Sequence, residues 1–200
     1  MSKIITISRE YGSGGKFIGE LVAKKLGIPF YDKEIMEKVA EETGFVHEYV
    51  EKLAEYAPTK SIFAYSFVGR NSAGESMEDY IHSVQRQIIL NIAAEGPCVI
   101  VGRCADYILR DLPHAVRLYI HAPLEDCVAR TEGKLPGDAK EREKQILAID
   151  KRRAAYYKYY TGNEWTDAGN YDLCLNTNHL DYETCVKITK SFLEIIPERA

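Results

Sequence analysis

Three glycines and a lysine, Gly12, Gly14, Gly15 and Lys16, stand between an unbroken β-branched run and an apolar stripe at helical spacing, and no other stretch restricts the fold so tightly. The run at residues 4–7 (IITI) is too short for a helix and ends in a polar cluster, which suits a strand buried on both faces. Beyond the glycines, Ile18, Leu21, Val22 and Leu26 recur at helical spacing, and Gly27 followed by Pro29 ends the helix. Without Cβ atoms the intervening backbone can turn successive N–H groups toward one anion. The helix N-terminus adds a partial positive charge there and Lys16 a full one.

A phosphate is the anion this arrangement fits, and the pattern to compare is G-x-x-x-x-G-K-[ST]. Gly15-Lys16 is present, but Glu10 occupies the first glycine position and Phe17 the hydroxyl position. Gly12, Ser13, Gly14, Gly15, Lys16 and Phe17 are therefore the candidate triphosphate-binding residues. A Mg²⁺ ligand would have to come from Ser13, Ser8 or water. The competing reading is a turn that is glycine-rich for close packing alone.

Two hundred residues at 46% hydrophobic are enough for one domain with a complete core. A net charge of −4 gives no general attraction to nucleic acid or anionic lipid, so an anion site must be a local basic cluster. No apolar run approaches the roughly 20 residues that span a bilayer, and the first residues read as a strand instead of a signal peptide, so a cytosolic location is expected. The cysteines Cys98, Cys104, Cys127, Cys174 and Cys185 show no C-x-x-C spacing, which suits buried thiols in a reducing compartment.

Downstream, residues 28–32 form a short apolar run ending in Asp32, which either caps a helix over 33–43 or faces the glycine loop from the end of a second strand. A helix is expected over 46–56. Residues 57–76 read as a long excursion whose Phe63, Tyr65, Phe67 and Arg70 suit either stacking and phosphate pairing or packing onto the domain. A long helix follows through Met77, Ile81, Ile88 and Ile92. Residues 98–102 are a further strand, and Arg103 follows it directly, where a parallel sheet places ligands and a guanidinium can bind phosphate bidentately.

Strands over 115–121 and 171–176 and a last helix over 180–196 complete the alternation. Between them lies a basic stretch over 139–158. Of its cations and those before it, Arg130, Arg152 and Arg153 are candidates to close over a polyphosphate, against the plainer reading of a solvated helix face. Tyr156, Tyr157, Tyr159, Tyr160 and Trp165 suit a core cluster more readily than a stacking platform. The alternation predicts a three-layer α/β/α sandwich with a parallel sheet.

The runs ISREYGSGGK ending at Lys16, IPFYDKE at 28–34, VGR ending at Arg103, YYKYYTG at 156–162 and YDLCLN at 171–176 together resemble the cytidylate-kinase-like proteins, a branch of the P-loop nucleoside monophosphate kinases. The resemblance covers roughly residues 3–193. It implies a five-stranded parallel core, a monophosphate-binding insertion over about 33–95, a lid over about 131–152, and transfer of the γ-phosphoryl of ATP to a nucleoside monophosphate with Mg²⁺. Carried over, Lys16 holds the ATP phosphates, Asp32 and Arg103 serve the acceptor, and Arg130, Arg152 and Arg153 stabilise the transferring group; Arg70 and Asp106 are further candidates on the acceptor side. Nucleotides are then the implied partners, with no nucleic acid or membrane partner, and the oligomeric state stays open.

Cytidylate kinases carry Asp directly after the Gly-Arg pair, where this chain has Cys104, with Asp106 two residues on. That departure and Phe17 leave other acceptors open, including a small alcohol, and also a nucleotide-binding regulatory protein with little transfer activity.

Overall fold

The computed structural model of the chain describes residues 3–54 and 76–197. Of the excursion expected over 57–76, all but Ser76 lies outside the described residues, Arg70 included.

Strand β1 (Ile4–Arg9) leads through the glycine loop into helix α1 (Gly15–Leu26), followed by β2 (Phe30–Tyr31), α2 (Glu34–Thr43), α3 (His47–Ala54) and α4 (Met77–Glu95). Then come β3 (Val99–Val101), a one-turn α5 (Ala105–Ile108), β4 (Ala115–His121), α6 (Leu124–Arg130), α7 (Ala139–Thr161), β5 (Leu173–Asn176) and α8 (Tyr182–Ile195). The five strands form one sheet in the order β2-β3-β1-β4-β5, and every pairing is parallel. All strands therefore end on the same edge, and β1, in the middle, places its loop at the centre of that edge.

Because side chains alternate across a strand, β1 feeds two cores. Ile5 and Ile7 join Val99, Val101, Leu118 and Ile120 beneath Val22 of α1 and Val186 and Leu193 of α8. Ile4 points the other way, with Ile100, toward Met36, Ile81 and Ile89 of α2 and α4 and the aromatic end of α7. Each of these fully buried isoleucines contributes about 1.5–3 kcal/mol by leaving water, which is why the strands read as continuous apolar runs. The three layers expected from the alternation are present.

Three differences from the sequence reading matter for the site. Strand β1 runs on through Ser8 and Arg9, so Arg9 belongs to the sheet edge and not to the loop. Asp32 is not the cap of α2: Lys33 holds that position, and the Asp32 amide instead donates to the Glu34 carboxylate at 2.9 Å. The basic stretch and the tyrosine run are one helix of 23 residues, opened by a reciprocal Asp138–Glu141 capping box. Tyr156 and Tyr157 are buried, so the same rigid element that carries Arg152 and Arg153 is anchored in the core.

Candidate active site

Gly14, at φ 86°, turns the chain into α1, and the C-terminal edge of the sheet gathers the charged groups around it. A cavity of about 460 Å³ opens over the loop, with Gly12, Gly15, Lys16 and Phe17 on one side and Arg130, Arg153 and Tyr182 on others. Phe17, about half exposed, packs against Tyr182 with ring centroids 5.0 Å apart. Lys16 reaches the same edge: its Nζ is 2.7 Å from Asp32 Oδ2. Of the two readings of Asp32, the structure therefore realises the one that faces the loop.

A second, smaller cavity of about 90 Å³ adjoins it, lined by Arg9, Arg103, Arg152 and Arg153 with Tyr156 and Trp165, and among the described residues no carboxylate is on its wall. Arg9 and Arg153 line both cavities. Arg103 and Cys104 adopt φ values of 58° and 55°, directly after Gly102 at 74°. A left-handed backbone at two successive non-glycine residues costs of order 1–3 kcal/mol each, and such strain collects at functional sites. Burial pushes the Cys104 thiol well up, so this position presents a neutral group where a cytidylate kinase carries an acid.

Three of the expected site residues are engaged by the protein itself. Ser13 is fully buried, its Oγ donating to the Glu10 carbonyl at 2.8 Å and accepting from the Gly15 amide at 3.4 Å, so it shapes the loop from within and offers no ligand to a metal. Asp106 is 2% exposed and accepts from Tyr157 Oη at 2.6 Å and Ser8 Oγ at 3.3 Å. It underlies the smaller cavity as a buried prop, and burial raises its pKa. Arg130 lines the larger cavity but commits its fork to the protein, donating to Thr177 Oγ1 at 2.7 Å, Thr177 O at 2.9 Å and Ser13 O at 3.4 Å. Thr177 Oγ1 also donates to Ser13 O at 2.9 Å, and together they brace the glycine loop against the end of β5.

Arg9 and Asp150 were not among the candidates. Asp150, on α7, accepts the Tyr11 amide with both oxygens at 2.9 and 3.1 Å and Arg153 Nη1 at 3.2 Å. Arg153 Nη1 also donates to Arg9 O at 3.2 Å, and its guanidinium lies over the Tyr11 ring. Burial raises the pKa of Asp150, with Arg153 acting against it. The Asp-x-x-Arg spacing on a helix was a visible signal for this pair, but one that most surface helices share.

Magnesium was expected with ATP, and the described residues offer it no protein ligand set. Phe17 replaces the hydroxyl, Ser13 is turned inward, Asp32 is engaged by Lys16, and no group of three His, Cys, Asp or Glu side chains converges among the described residues. Among those residues, too, no helix is long and apolar enough to cross a membrane.

Comparison with known proteins agrees with this geometry. Residues 4–179 match the model of the cytidylate kinase-like family. A cytidylate kinase of Methanopyrus kandleri is 27% identical over 211 residues, covering 100% of this chain and 97% of the relative. Among solved structures, an uncharacterized protein from Eubacterium ventriosum superposes with a TM-score of 0.74 at 24% identity, covering 97% of this chain and 99% of that one. The shikimate kinase of Bacteroides thetaiotaomicron follows at 0.58 and 16%, covering 98% and 100%, a likeness of fold alone. A glycine loop with its lysine at the centre of a parallel sheet, matched over 4–179, places the chain in the cytidylate kinase-like family, on the fold of the P-loop kinases.

Proposed function

We propose that the protein transfers the γ-phosphoryl of ATP to a nucleoside monophosphate. The observation that carries this reading is the pair of adjoining cavities at the sheet edge, one over the glycine loop and Lys16, the other lined by four guanidiniums. Such a wall suits an acceptor that is itself anionic, because guanidinium forks match the oxygens of a phosphate.

In this reading the loop amides and Lys16 hold the donor's phosphates, Lys16 exchanging Asp32 for the nucleotide. Arg103 and Arg152 hold the acceptor phosphate, and Arg153 stands between the two groups. An acceptor oxygen forms the new P–O bond as the bond between the β- and γ-phosphates breaks and ADP leaves. A phosphate monoester has its second pKa near 6, so at pH 7 its attacking oxygen is already ionised and the protein need take no proton. Positioning and fixed positive charge then carry the rate. Mg²⁺ would be held through the nucleotide's own oxygens and water. Residues 33–95 would contain the acceptor-binding insertion and 131–152 the lid.

The test is ATP consumption measured with each ribo- and deoxyribonucleoside monophosphate in the presence of Mg²⁺. Turnover with one or a few of them is expected. Turnover confined to a non-nucleotide alcohol would replace the acceptor, and nucleotide binding with no turnover on any acceptor would replace the activity.

A further inference from the structure

Arg9 ends β1 at the junction of the two cavities, and two glycine backbones are seated against it. A Cβ on Gly15 would lie 2.5 Å from Arg9 Cβ, and one on Gly102 would strike the Arg9 guanidinium. The glycine loop and the β3–α5 turn, far apart in sequence, thus leave room for the same side chain. That side chain is largely buried, yet among the described residues its one ion pair is to Asp32 at 3.7 Å, longer than a hydrogen bond. Its N–H donors find no acceptor among those residues, although a guanidinium carries five of them in a fork matched to phosphate oxygens.

Charges of both signs surround it. Arg103 and Arg153 bear on Arg9 with the same sign, and Asp32 and Asp150 oppose them. Burial first, and Arg153 next, pull the guanidinium down to about 9, so it remains a cation at neutral pH. A half-desolvated cation whose donors face two cavities is completed by an anion that lies between them.

We propose that Arg9 is a catalytic residue, its guanidinium bound to the phosphoryl group in transit between the two cavities. The inference rests on the phosphotransferase reading above and adds to it a cation fixed on the sheet instead of on a lid. Arg9 then touches the terminal phosphate of the donor and grips it more tightly as charge shifts onto the oxygens around the transferring phosphorus.

The experiment is calorimetric titration of wild type, Arg9→Gln and Arg9→Lys with ADP, and with ADP plus aluminium fluoride, which mimics the group in flight, with circular dichroism to check folding. Wild type should bind the fluoride complex more tightly than ADP alone. Arg9→Gln should keep its ADP affinity within about threefold and lose on the order of 100-fold for the fluoride complex. Arg9→Lys keeps the charge without the fork and should fall between; if the glutamine variant fails to fold, the same split read on the lysine variant decides. Equal weakening of both ligands would make Arg9 a support of the loop and overturn the proposal, as would an unchanged affinity for the fluoride complex. If wild type binds neither ligand, the phosphotransferase reading fails and the proposal falls with it.

Discussion

Lys16 Nζ lies 2.7 Å from Asp32 Oδ2, and that one distance ties the first turn of α1, which follows β1, to the end of β2, two strands that β3 separates in the sheet. Lys16 is half exposed, so the pair adds no more than about 1 kcal/mol to stability, and its chief effect is to hold the ammonium at the cavity mouth. Lys16→Ala should leave the thermal midpoint nearly unchanged and weaken ATP binding by roughly 10- to 100-fold, the size of a lost charge-assisted hydrogen bond. Titration calorimetry beside a melting curve checks both halves, and an unaltered ATP affinity would remove Lys16 from the phosphate site.

Asp150 is the acceptor that ties α7 to the glycine loop. Asp150→Ala leaves the Tyr11 amide without its partner and removes a negative charge from beside Arg153 and Arg9, so a loss of about 1–3 kcal/mol is expected in urea unfolding. Asp150→Asn keeps an acceptor for Tyr11 and should recover part of it. Equal losses in the two variants would mean that the charge, not the hydrogen bond, holds the loop.

Gly102 has φ 74° and faces the Arg9 guanidinium. Gly102→Ala therefore adds backbone strain and displaces Arg9 at once, and we expect about 1–3 kcal/mol of destabilisation with a larger proportional fall in turnover. Gly162→Ala is the control: its φ is 76°, but a Cβ there meets nothing within 4 Å, so it should share the strain and spare activity. Equal activity in the two variants would count against Arg9.

His82 of α4 is stacked on Tyr160 at 3.6 Å and bonded to Tyr156 Oη at 2.9 Å. Burial lowers its pKa to about 4; Asp79 opposes this and Arg86 adds to it. The unfolded chain, with histidine near 6.5, binds the proton that the folded chain refuses, so stability is lost as pH falls from about 6.5 to about 4, by up to about 3 kcal/mol. The raised carboxyls of Asp106 and Asp150 act in the opposite sense in acid, because the folded chain takes up their protons first. His82→Phe keeps a stacked ring and should flatten the drop between pH 6.5 and 5 in urea midpoints; the same drop in the variant would assign it elsewhere.

Much of this protein is a matter of local sequence. Periodicity separated the strands from the helices, because a buried parallel strand and an amphipathic helix need different spacings of apolar residues. The glycines marked the loop because few other residues tolerate its backbone, and the conjunction of short runs around Lys16, Arg103 and Tyr171 was enough to point to the family. What local sequence could not decide was direction. Ser13 stands in the loop and turns inward to Glu10; Asp106 follows the Gly-Arg pair and is consumed by Tyr157 and Ser8; Arg130 looked like a lid cation and braces Thr177. Asp32 could have capped a helix and instead meets Lys16, while Arg9, read as part of a polar loop, ends a strand between two glycines. Strand order brings β1, β2 and β3 to one edge, and only that long-range arrangement determines which charges meet, since each side chain has acceptable local conformations in which it would do something else.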